Sequence, residues 1–260
     1  MNPKNKVAIV TGASSGIGKA SAEQLAQAGY TVYGTSRRGA QAGQQAYPML
    51  VLDVTRDASA EAAVSEVIRR EGRIDLLVNN AGFGVAPGAA EESSLEQAQA
   101  IFDTNFFGLI RMTRAVVPHM RGQRHGRIIN IGSVLGFLPM PFGALYAATK
   151  HAVEGYSESL DHELRTWGIR VSVIEPAYTR TQFDANMLQP DLPLDEYRQI
   201  RASLNQVMEK VMATASFPRL RYTSGGLAAR LRLLRRFAPA GLMDAGLRKD
   251  LQLDARQATA

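Results

Sequence analysis

Six short, apolar and largely β-branched runs recur along the first 175 residues: KVAIVTG, TVYGTS, PMLVLDV, IDLLVNN, GRIINIG and IRVSVIEP. They are continuously apolar, which is typical of strands buried on both faces of a parallel sheet. Helical stretches separate them. Residues 16–28 end at Gly29, and residues 57–71 begin at Asp57, a candidate N-cap, and stop before Gly72. This alternation predicts right-handed βαβ units and a doubly wound parallel α/β sheet flanked by helices.

The alternation stops after Pro176. Residues 178–217 contain Met, Gln and Pro, and they predict short helices and loops that form a substrate lid. LRYT at 220–223 predicts a last strand, which would give a sheet of about seven strands, and residues 227–253 predict one or two amphipathic helices. We predict one domain over residues 1–260, divided into a dinucleotide-binding and catalytic core (1–177), a lid (178–217), and a last strand with basic helices (218–260).

The composition predicts a globular protein without disulfides, membrane spans or a nucleic-acid partner. The chain of 260 residues is 45% hydrophobic and contains no cysteine, so its core needs no disulfide or metal staple. It contains neither a secretory signal nor 18 consecutive apolar residues, which predicts a cytoplasmic protein. The net charge of +6 is concentrated late, with nine Arg or Lys against three Asp from Arg219 onward. The bulk of the chain therefore predicts no nucleic-acid partner.

The first strand runs directly into TGASSGIG at residues 11–18. Glycines at a strand-to-helix turn permit unusual backbone angles and close backbone approach, and the free N–H groups of the following helix favour a pyrophosphate. The spacing G-x-x-x-G-x-G differs from the commonest dinucleotide fingerprint. A purely structural turn is the alternative. The predicted phosphate-binding residues are Gly12, Ser14, Ser15, Gly16, Ile17 and Gly18.

The end of the second strand indicates which dinucleotide binds. NAD enzymes of this architecture place an acid there to hold the ribose 2′-hydroxyl. This chain has Ser36, followed by Arg37 and Arg38. Arginine binds a 2′-phosphate through charge-assisted hydrogen bonds, whereas an acid would repel it. We predict NADP(H) over NAD(H), the alternative being two solvated loop arginines. Asp53 and Val54 are expected to close the third strand beside the adenine.

The motifs together resemble the short-chain dehydrogenase/reductase family, which has a Rossmann-type fold. The resemblance rests on TGASSGIG, NNAG at 79–82, Asn105, Ser133 and YAATK at 146–150, and it covers roughly residues 5–181. Within the family, the chain is most similar to the branch of 17β-hydroxysteroid and retinol dehydrogenases. The resemblance implies a homodimer or homotetramer.

Tyr146 and Lys150 are four residues apart, and on a helix they would share one face. A free tyrosine has a pKa near 10, and lowering it by about three units requires roughly 4 kcal/mol. A cation about 4 to 5 Å away supplies roughly 3 to 4 kcal/mol at an effective dielectric constant near 20. We therefore predict that Tyr146 is the acid–base and that Lys150 tunes it. The resemblance implies that Ser133 polarises the substrate carbonyl and that Asn105 holds a relay water.

The remaining predicted site residues line the cofactor and the substrate. The resemblance adds Asn79, Ala81, Gly82, Pro176 and Thr181 beside the cofactor, together with Tyr146 and Lys150. Pro176 precedes Ala177, where the family pattern has glycine. Apolar side chains predict a lipophilic substrate, although several could simply fill the core. The predicted substrate-binding residues are Phe83, Leu135, Phe137, Phe142, Tyr178 and Phe183.

The sequence thus predicts an NADP-dependent oxidoreductase that interconverts a hydrophobic secondary alcohol and a ketone of steroid, retinoid or lipid type. The alternative is an NADP-binding regulator of the same family without turnover. The four histidines lack the spacing of metal ligands, so no metal is predicted. In LAARLRLLRRF at 227–237, arginines surround a leucine face. Such a helix either docks on its own domain or makes peripheral contact with a membrane.

Overall fold

The structure is a computed structural model. It describes residues 6–39, 45–177, 183 and 187–214, with side chains described as far as residue 206. Six parallel strands form one sheet in the order β3-β2-β1-β4-β5-β6. The strands are β1 (Val7–Val10), β2 (Thr31–Ser36), β3 (Met49–Val51), β4 (Leu76–Asn79), β5 (Gly126–Ile131) and β6 (Ile169–Ile174).

Six α-helices connect and follow the strands. They are α1 (Gly16–Gln27), α2 (Asp57–Glu71), α3 (Leu95–Phe102), α4 (Gly108–Gln123), α5 (Ala144–Leu164) and α6 (Arg198–Thr214). A π-helical turn, Asp103–Phe107, joins α3 to α4. Short 3-10 helices lie at Ala90–Glu92, Val134–Gly136, Arg165–Trp167 and Asp195–Tyr197.

The sheet is buried on both faces, as its continuously apolar strands predict. Alternate residues of a strand point to opposite faces. Ile9 of β1 belongs to the core cluster that includes Val64 of α2, Met112 of α4 and Leu160 of α5. Its neighbour Val10 belongs to the second cluster, which includes Ala22 of α1. These two layers confirm the predicted doubly wound α/β class.

Several sequence expectations are corrected in detail. Asp57 is the first residue of α2 rather than its N-cap, because Arg56 occupies that position in an extended conformation. The third strand ends at Val51, so Asp53 and Val54 lie beyond it rather than closing it. Within 178–217, α6 is a helix of 17 residues rather than a short one. Six strands are described where about seven were predicted, and the segment for the seventh, 220–223, lies outside the described residues.

The order of the strands places the site. The order reverses between β1 and β4, and in open α/β sheets ligands bind at the carboxyl ends of strands beside such a switch point. The predicted lid partly lies outside the described residues, as do the basic helices after residue 218. Within the described ranges, no helix is long and apolar enough to cross a membrane.

Candidate active site

The turn between β1 and α1 is shaped by its glycines. Gly12 and Gly16 have positive φ angles of 65° and 56°, a region that side chains strongly disfavour. Gly18 is required for a different reason. A Cβ atom there would lie 2.3 Å from Asn80 Nδ2 and 2.4 Å from the Gly12 oxygen. The turn therefore brings two stretches of backbone together at the N-terminus of α1, and this cradle fits a pyrophosphate.

Thr11 and Asn80 hold this turn together, and neither was among the predicted site residues. The Asn80 side chain donates hydrogen bonds to the backbone oxygens of Thr11 (2.9 Å) and Gly12 (3.1 Å). The Thr11 hydroxyl accepts from the backbone N–H groups of Asn80 and Ala81, both at 2.9 Å. The second asparagine of NNAG thus binds the glycine turn. Its position directly after a strand was the available signal.

Ser36, the last residue of β2, is followed by Arg37 and Arg38, which are both exposed. The Ser36 hydroxyl oxygen is buried, and no described residue hydrogen-bonds to it. Asp53 lies close to this edge of the sheet. The Thr55 hydroxyl donates to its carboxylate at 2.7 Å, and this hydrogen bond is the main cause of the lowered pKa of Asp53. The positive charge of Arg37 contributes to the same shift. This edge therefore offers the two exposed guanidinium groups of Arg37 and Arg38 and the unpartnered hydroxyl of Ser36, which fit a phosphate.

Asn79 and Gly82 flank Asn80 and Ala81, the two residues that bind the glycine turn. The Asn79 side chain points into the protein and donates to Asn130 at 2.9 Å. Asn130 in turn donates to Ser157 of α5 at 2.8 Å, so a buried polar chain joins β4, β5 and α5. A Cβ atom on Gly82 would lie 2.9 Å from the Asn105 side-chain oxygen. The Asn79 side-chain nitrogen is therefore engaged in this buried chain, and its backbone at the end of β4 is the part predicted to border the cofactor.

Ser133, Tyr146 and Lys150 are brought together by β5 and α5. Ser133 is the second residue beyond the end of β5, and its hydroxyl accepts from the backbone N–H of Leu135 at 3.1 Å. Lys150 follows Tyr146 by one helical turn, and its Nζ atom lies 5.5 Å from the centre of the tyrosine ring. Nζ donates to the backbone oxygen of Ile131, the last residue of β5, at 2.8 Å. The predicted cation and phenol thus share one face of α5.

Lys150 is buried, with 8% of its surface exposed, and burial changes its own charge state. Burial lowers the pKa of its ammonium from the ordinary 10.5 to about 8, and the carboxylate of Glu154 acts in the opposite direction. Burial disfavours the charged form because a cation loses its hydration. The lysine is therefore cationic below about pH 8 and loses its charge above it. Its influence on Tyr146 is confined to the lower range of pH.

Asn105 sits in the π-helical turn between α3 and α4 and is 3% exposed. Its oxygen accepts from the Phe83 N–H at 3.0 Å, and its nitrogen donates to the Phe83 oxygen at 2.9 Å and to the Thr149 hydroxyl at 3.3 Å. Single π turns are common at functional sites because they reorient a side chain within a helix. Asn105 therefore links the loop after β4 to the helix of Tyr146 and Lys150.

A small cavity connects these groups with the glycine turn. Its volume is about 10 Å³, the size that holds a single water molecule. The lining mixes polar and apolar groups, and it reaches from β1 to α5. The lining residues are Thr11, Val54, Asn79, Ala81, Thr104, Asn105, Gly108, Leu109, Ile131 and Lys150. Asn105 and Lys150 thus face one shared space beside the first strand.

Five of the predicted substrate side chains lie within the described residues: Phe83, Leu135, Phe137, Phe142 and Phe183. The Phe183 ring packs edge-on to Tyr146, with ring centres 5.7 Å apart. Phe142 has a positive φ of 61°, which is rare for a bulky residue and marks local strain, and its ring packs against Tyr197 at 6.1 Å. Phe83, Leu135 and Phe137 are each partly buried on the loops after β4 and β5.

Three further positions were predicted for the site, and the structure describes one of them. Pro176 is buried, and its oxygen accepts from Val134 N–H at 3.0 Å, next to Ser133. Tyr178 and Thr181 lie outside the described residues. The part of the chain that the structure describes contains no group of three or more His, Cys, Asp or Glu that could hold a metal ion.

This arrangement defines a class of protein. The family model described as short chain dehydrogenase matches residues 6–191, and the chain belongs to that family. It is 43% identical over 181 residues to a 3-ketodihydrosphingosine reductase from Bacteroides thetaiotaomicron, covering 70% of this chain and 66% of that protein. It is 39% identical over 196 residues to retinol dehydrogenase 8 from Homo sapiens, covering 70% and 62%.

The solved structures agree with this assignment. A short-chain dehydrogenase from Streptomyces avermitilis has a TM-score of 0.72 and 32% sequence identity, and the match covers 98% of this chain and 99% of that one. The matches to the two relatives are shorter than this structural match, because they span 66% and 62% of the relatives' own lengths. The residues that the family model matches, 6–191, include the glycine turn and α5.

Proposed function

We propose that this protein is an NADP(H)-dependent oxidoreductase that interconverts a hydrophobic ketone and the corresponding secondary alcohol. The observation that carries the proposal is the enclosed Lys150 ammonium beneath the Tyr146 ring, next to a cavity that reaches the glycine turn. A nicotinamide cofactor, when bound, supplies or accepts the hydride. The residues of the chain must then bind the carbonyl, orient it and move one proton.

Tyr146 is the proton donor to the carbonyl oxygen in the direction of reduction and the base in the direction of oxidation. The nearby cation favours the phenolate form, which lowers the free energy of proton transfer. Ser133 acts on the same oxygen. Because its hydroxyl oxygen already accepts from Leu135 N–H, its hydrogen is available to donate to the oxygen where charge develops.

The proton that Tyr146 gives up must be replaced from solvent. The cavity bordered by Lys150 and Asn105 is the proposed position of a relay water. Asn105 is held by three hydrogen bonds, two to Phe83 and one to Thr149. It is therefore rigid, and its role is to fix the loop and the helix that enclose this water.

The preference for NADP(H) is supported by the edge that follows β2. Two exposed guanidinium groups and the buried Ser36 hydroxyl adjoin each other there, and a bidentate contact with a dianionic 2′-phosphate is stronger than any contact with a hydroxyl. We also propose that the protein forms a homo-oligomer through the helices that carry Asn105 and Tyr146. Phe107, two residues after Asn105, is 47% exposed, which suits such an interface.

The substrate is proposed to be lipid-like. The Phe183 ring packs on Tyr146, and Met187 and Phe183 both approach Gly84 of the loop after β4. An apolar pocket discriminates against sugars and charged acids because these lose hydration without compensation. The names of the two relatives, a ketosphingoid reductase and a retinol dehydrogenase, point to the same class of substrate.

A panel of long-chain, steroid, retinoid and aryl ketones, with NADPH consumption as the readout, tests this proposal. The expected result is turnover of at least one lipophilic ketone and none of a hexose of similar size. The alternative function, a nucleotide-binding regulator, predicts tight NADPH binding with no turnover of any compound. Measuring the NADPH dissociation constant in the same preparation separates this outcome from an inactive sample.

A further inference from the structure

A single buried carboxylate, Glu92, fastens the segment after β6 to the loop after β4. Glu92 lies in the short helix that precedes α3 and is 0% exposed. Carboxylates are rarely buried this completely unless they are paired and hydrogen-bonded. Each of its oxygens has a partner from a different part of the chain, and these partners define what it holds together.

One oxygen of Glu92 serves its own loop, and the other serves the distant segment. Oε2 accepts from the backbone N–H of Ala89 at 2.8 Å. Oε1 accepts from the backbone N–H of Leu194 at 2.8 Å and forms an ion pair with Arg201 of α6, whose side chain is 18% exposed. Arg201 also donates to the Leu194 oxygen at 2.9 Å. Carboxylate and guanidinium thus bind both backbone groups of one residue.

The segment next to this ion pair runs along the loop after β4. Leu188 pairs with Val85 as an isolated parallel bridge, through Ala86 N–H to the Leu188 oxygen (2.7 Å) and Leu188 N–H to the Gly84 oxygen (2.9 Å). Further along, Asp191 accepts from both the N–H and the hydroxyl of Ser94. Residues 187–201, which we name the docked segment, therefore follow the loop over their whole length.

The docked segment is linked to Tyr146 through Gly84 and Phe183. A Cβ atom on Gly84 would lie 3.2 Å from Met187 Cγ and 3.1 Å from the Phe183 ring, which itself packs on Tyr146. Met187, at the start of the segment, thus approaches the same glycine of the loop as the ring that packs on Tyr146. A shift of the segment along the loop would change the shape of the space beside Tyr146 without moving the glycine turn.

We infer that Glu92 and Arg201 are positioning residues that fix one wall of the substrate pocket and so determine which ketones fit. The inference rests on the proposed function, since it concerns the substrate of the same site. Neither residue is placed in contact with the substrate or the cofactor. Their effect is transmitted through Leu194 and Leu188 to the residues beside Tyr146.

The test combines hydrogen exchange with kinetics on the full chain carrying Glu92→Gln. Glutamine keeps the size and one oxygen acceptor but removes the charge that pairs with Arg201. We expect backbone amides in the docked segment, including those of Leu188 and Leu194, to exchange at least tenfold faster, while amides of β1 and α5 do not change. We expect KM for a long-chain ketone to rise at least fivefold, with kcat and the NADPH dissociation constant within twofold.

Two further variants keep the result interpretable. Glu96→Gln changes an exposed carboxylate four residues further on, and it should leave both exchange and KM at wild-type values. If Glu92→Gln does not fold, Arg201→Gln removes the ion pair and the hydrogen bond to the Leu194 oxygen while it keeps the bond from Leu194 N–H to Glu92, and we expect it to give the same pattern. Unchanged exchange in the docked segment would overturn the inference, and so would faster exchange with an unchanged KM.

The exchange arm needs no substrate. If the wild-type protein reduces no ketone, the proposed function fails. The exchange result still decides whether Glu92 holds the docked segment, and uniform acceleration of all amides would refute that role.

Discussion

The glycine turn and the docked segment both border the site, but they are held in place by different means. The turn is built from residues 11–18 and 80–81, with neutral hydrogen bonds to backbone and positions where a side chain cannot fit. The docked segment is held by backbone hydrogen bonds at Leu188 and by charged groups, of which Glu92 and Arg201 stand 109 positions apart in the sequence. The turn must fit one cofactor, whereas the segment can vary with the substrate. We therefore expect cofactor binding and substrate selection to be separable in this chain.

The largest expected effect on cofactor binding comes from filling the glycine turn. Gly18→Ala introduces a methyl group 2.3 to 2.4 Å from atoms on two sides, and no flexible side chain can absorb both contacts because one is backbone. We expect the NADPH dissociation constant to rise more than a hundredfold, as measured by fluorescence titration. Gly155→Ala on α5 is the matched control. Nothing lies within 4 Å of its Cβ position, so it should bind NADPH normally and be stabilised by about 0.5 to 1 kcal/mol.

The next effect concerns Lys150 and the stability of the protein without cofactor. Its pKa of about 8 in the folded state lies below the ordinary 10.5, so the unfolded chain binds more protons between these values. Stability conferred by this group is therefore present above about pH 10.5 and lost as the pH falls through 8. The difference corresponds to about 3 kcal/mol at roughly 1.4 kcal/mol per pKa unit.

Denaturant unfolding of the wild type and Lys150→Met across this range measures the effect. The gap in unfolding free energy between the two proteins should change by about 3 kcal/mol between pH 8 and 10.5 and stay constant from pH 6 to 7.5. A gap that is the same at every pH would mean that Lys150 is not buried as a cation. This measurement reports on Lys150 and depends on neither the glycine turn nor the docked segment.

Substitution of the arginines after β2 tests whether the site prefers NADPH to NADH. Replacing Arg37 and Arg38 by Ala together should weaken NADPH by about 30-fold, close to 2 kcal/mol, and NADH by no more than threefold. The ratio of the two dissociation constants is the readout, and NADH serves as the internal control. Equal weakening of both cofactors would contradict the proposed 2′-phosphate contact. KM for the ketone should remain unchanged in either case.

The smallest expected effect lies in the docked segment. Asp191 and Ser94 form an exposed contact, and such contacts contribute about 0.2 to 1 kcal/mol. Asp191→Asn should therefore raise the KM for a long-chain ketone by no more than about threefold, and NADPH binding should not change. An effect as large as that of Glu92→Gln would show that burial is not what distinguishes the two contacts.

The sequence was sufficient for the parts of the molecule in which each element carries its own signal. Six apolar runs gave the six described strands, and Gly72 in a left-handed conformation ends α2 at the predicted residue. The family motif located Tyr146 and Lys150 on one helix face because their spacing alone determines that geometry. Local conformation and periodicity thus accounted for the strands, the end of α2 and the shared face of Tyr146 and Lys150 on α5.

The remaining features depend on partners that no local pattern identifies. Asn80 binds the turn only because β4 lies beside β1, and the π turn at Asn105 cannot be distinguished from regular helix in the sequence. Glu92 looks like one more acidic surface residue until Arg201 and Leu194 are placed against it. Long-range side-chain contacts decide these positions, and they become visible only in the folded chain.

Single-turnover reduction of a lipophilic ketone by NADPH, compared between the wild type and Tyr146→Phe, tests the account most directly. Phenylalanine keeps the ring that packs on Phe183 but removes the proton donor. The account predicts a loss of at least a thousandfold in the rate of hydride transfer, with the NADPH dissociation constant within threefold of the wild type. A Tyr146→Phe rate within tenfold of the wild type would contradict it.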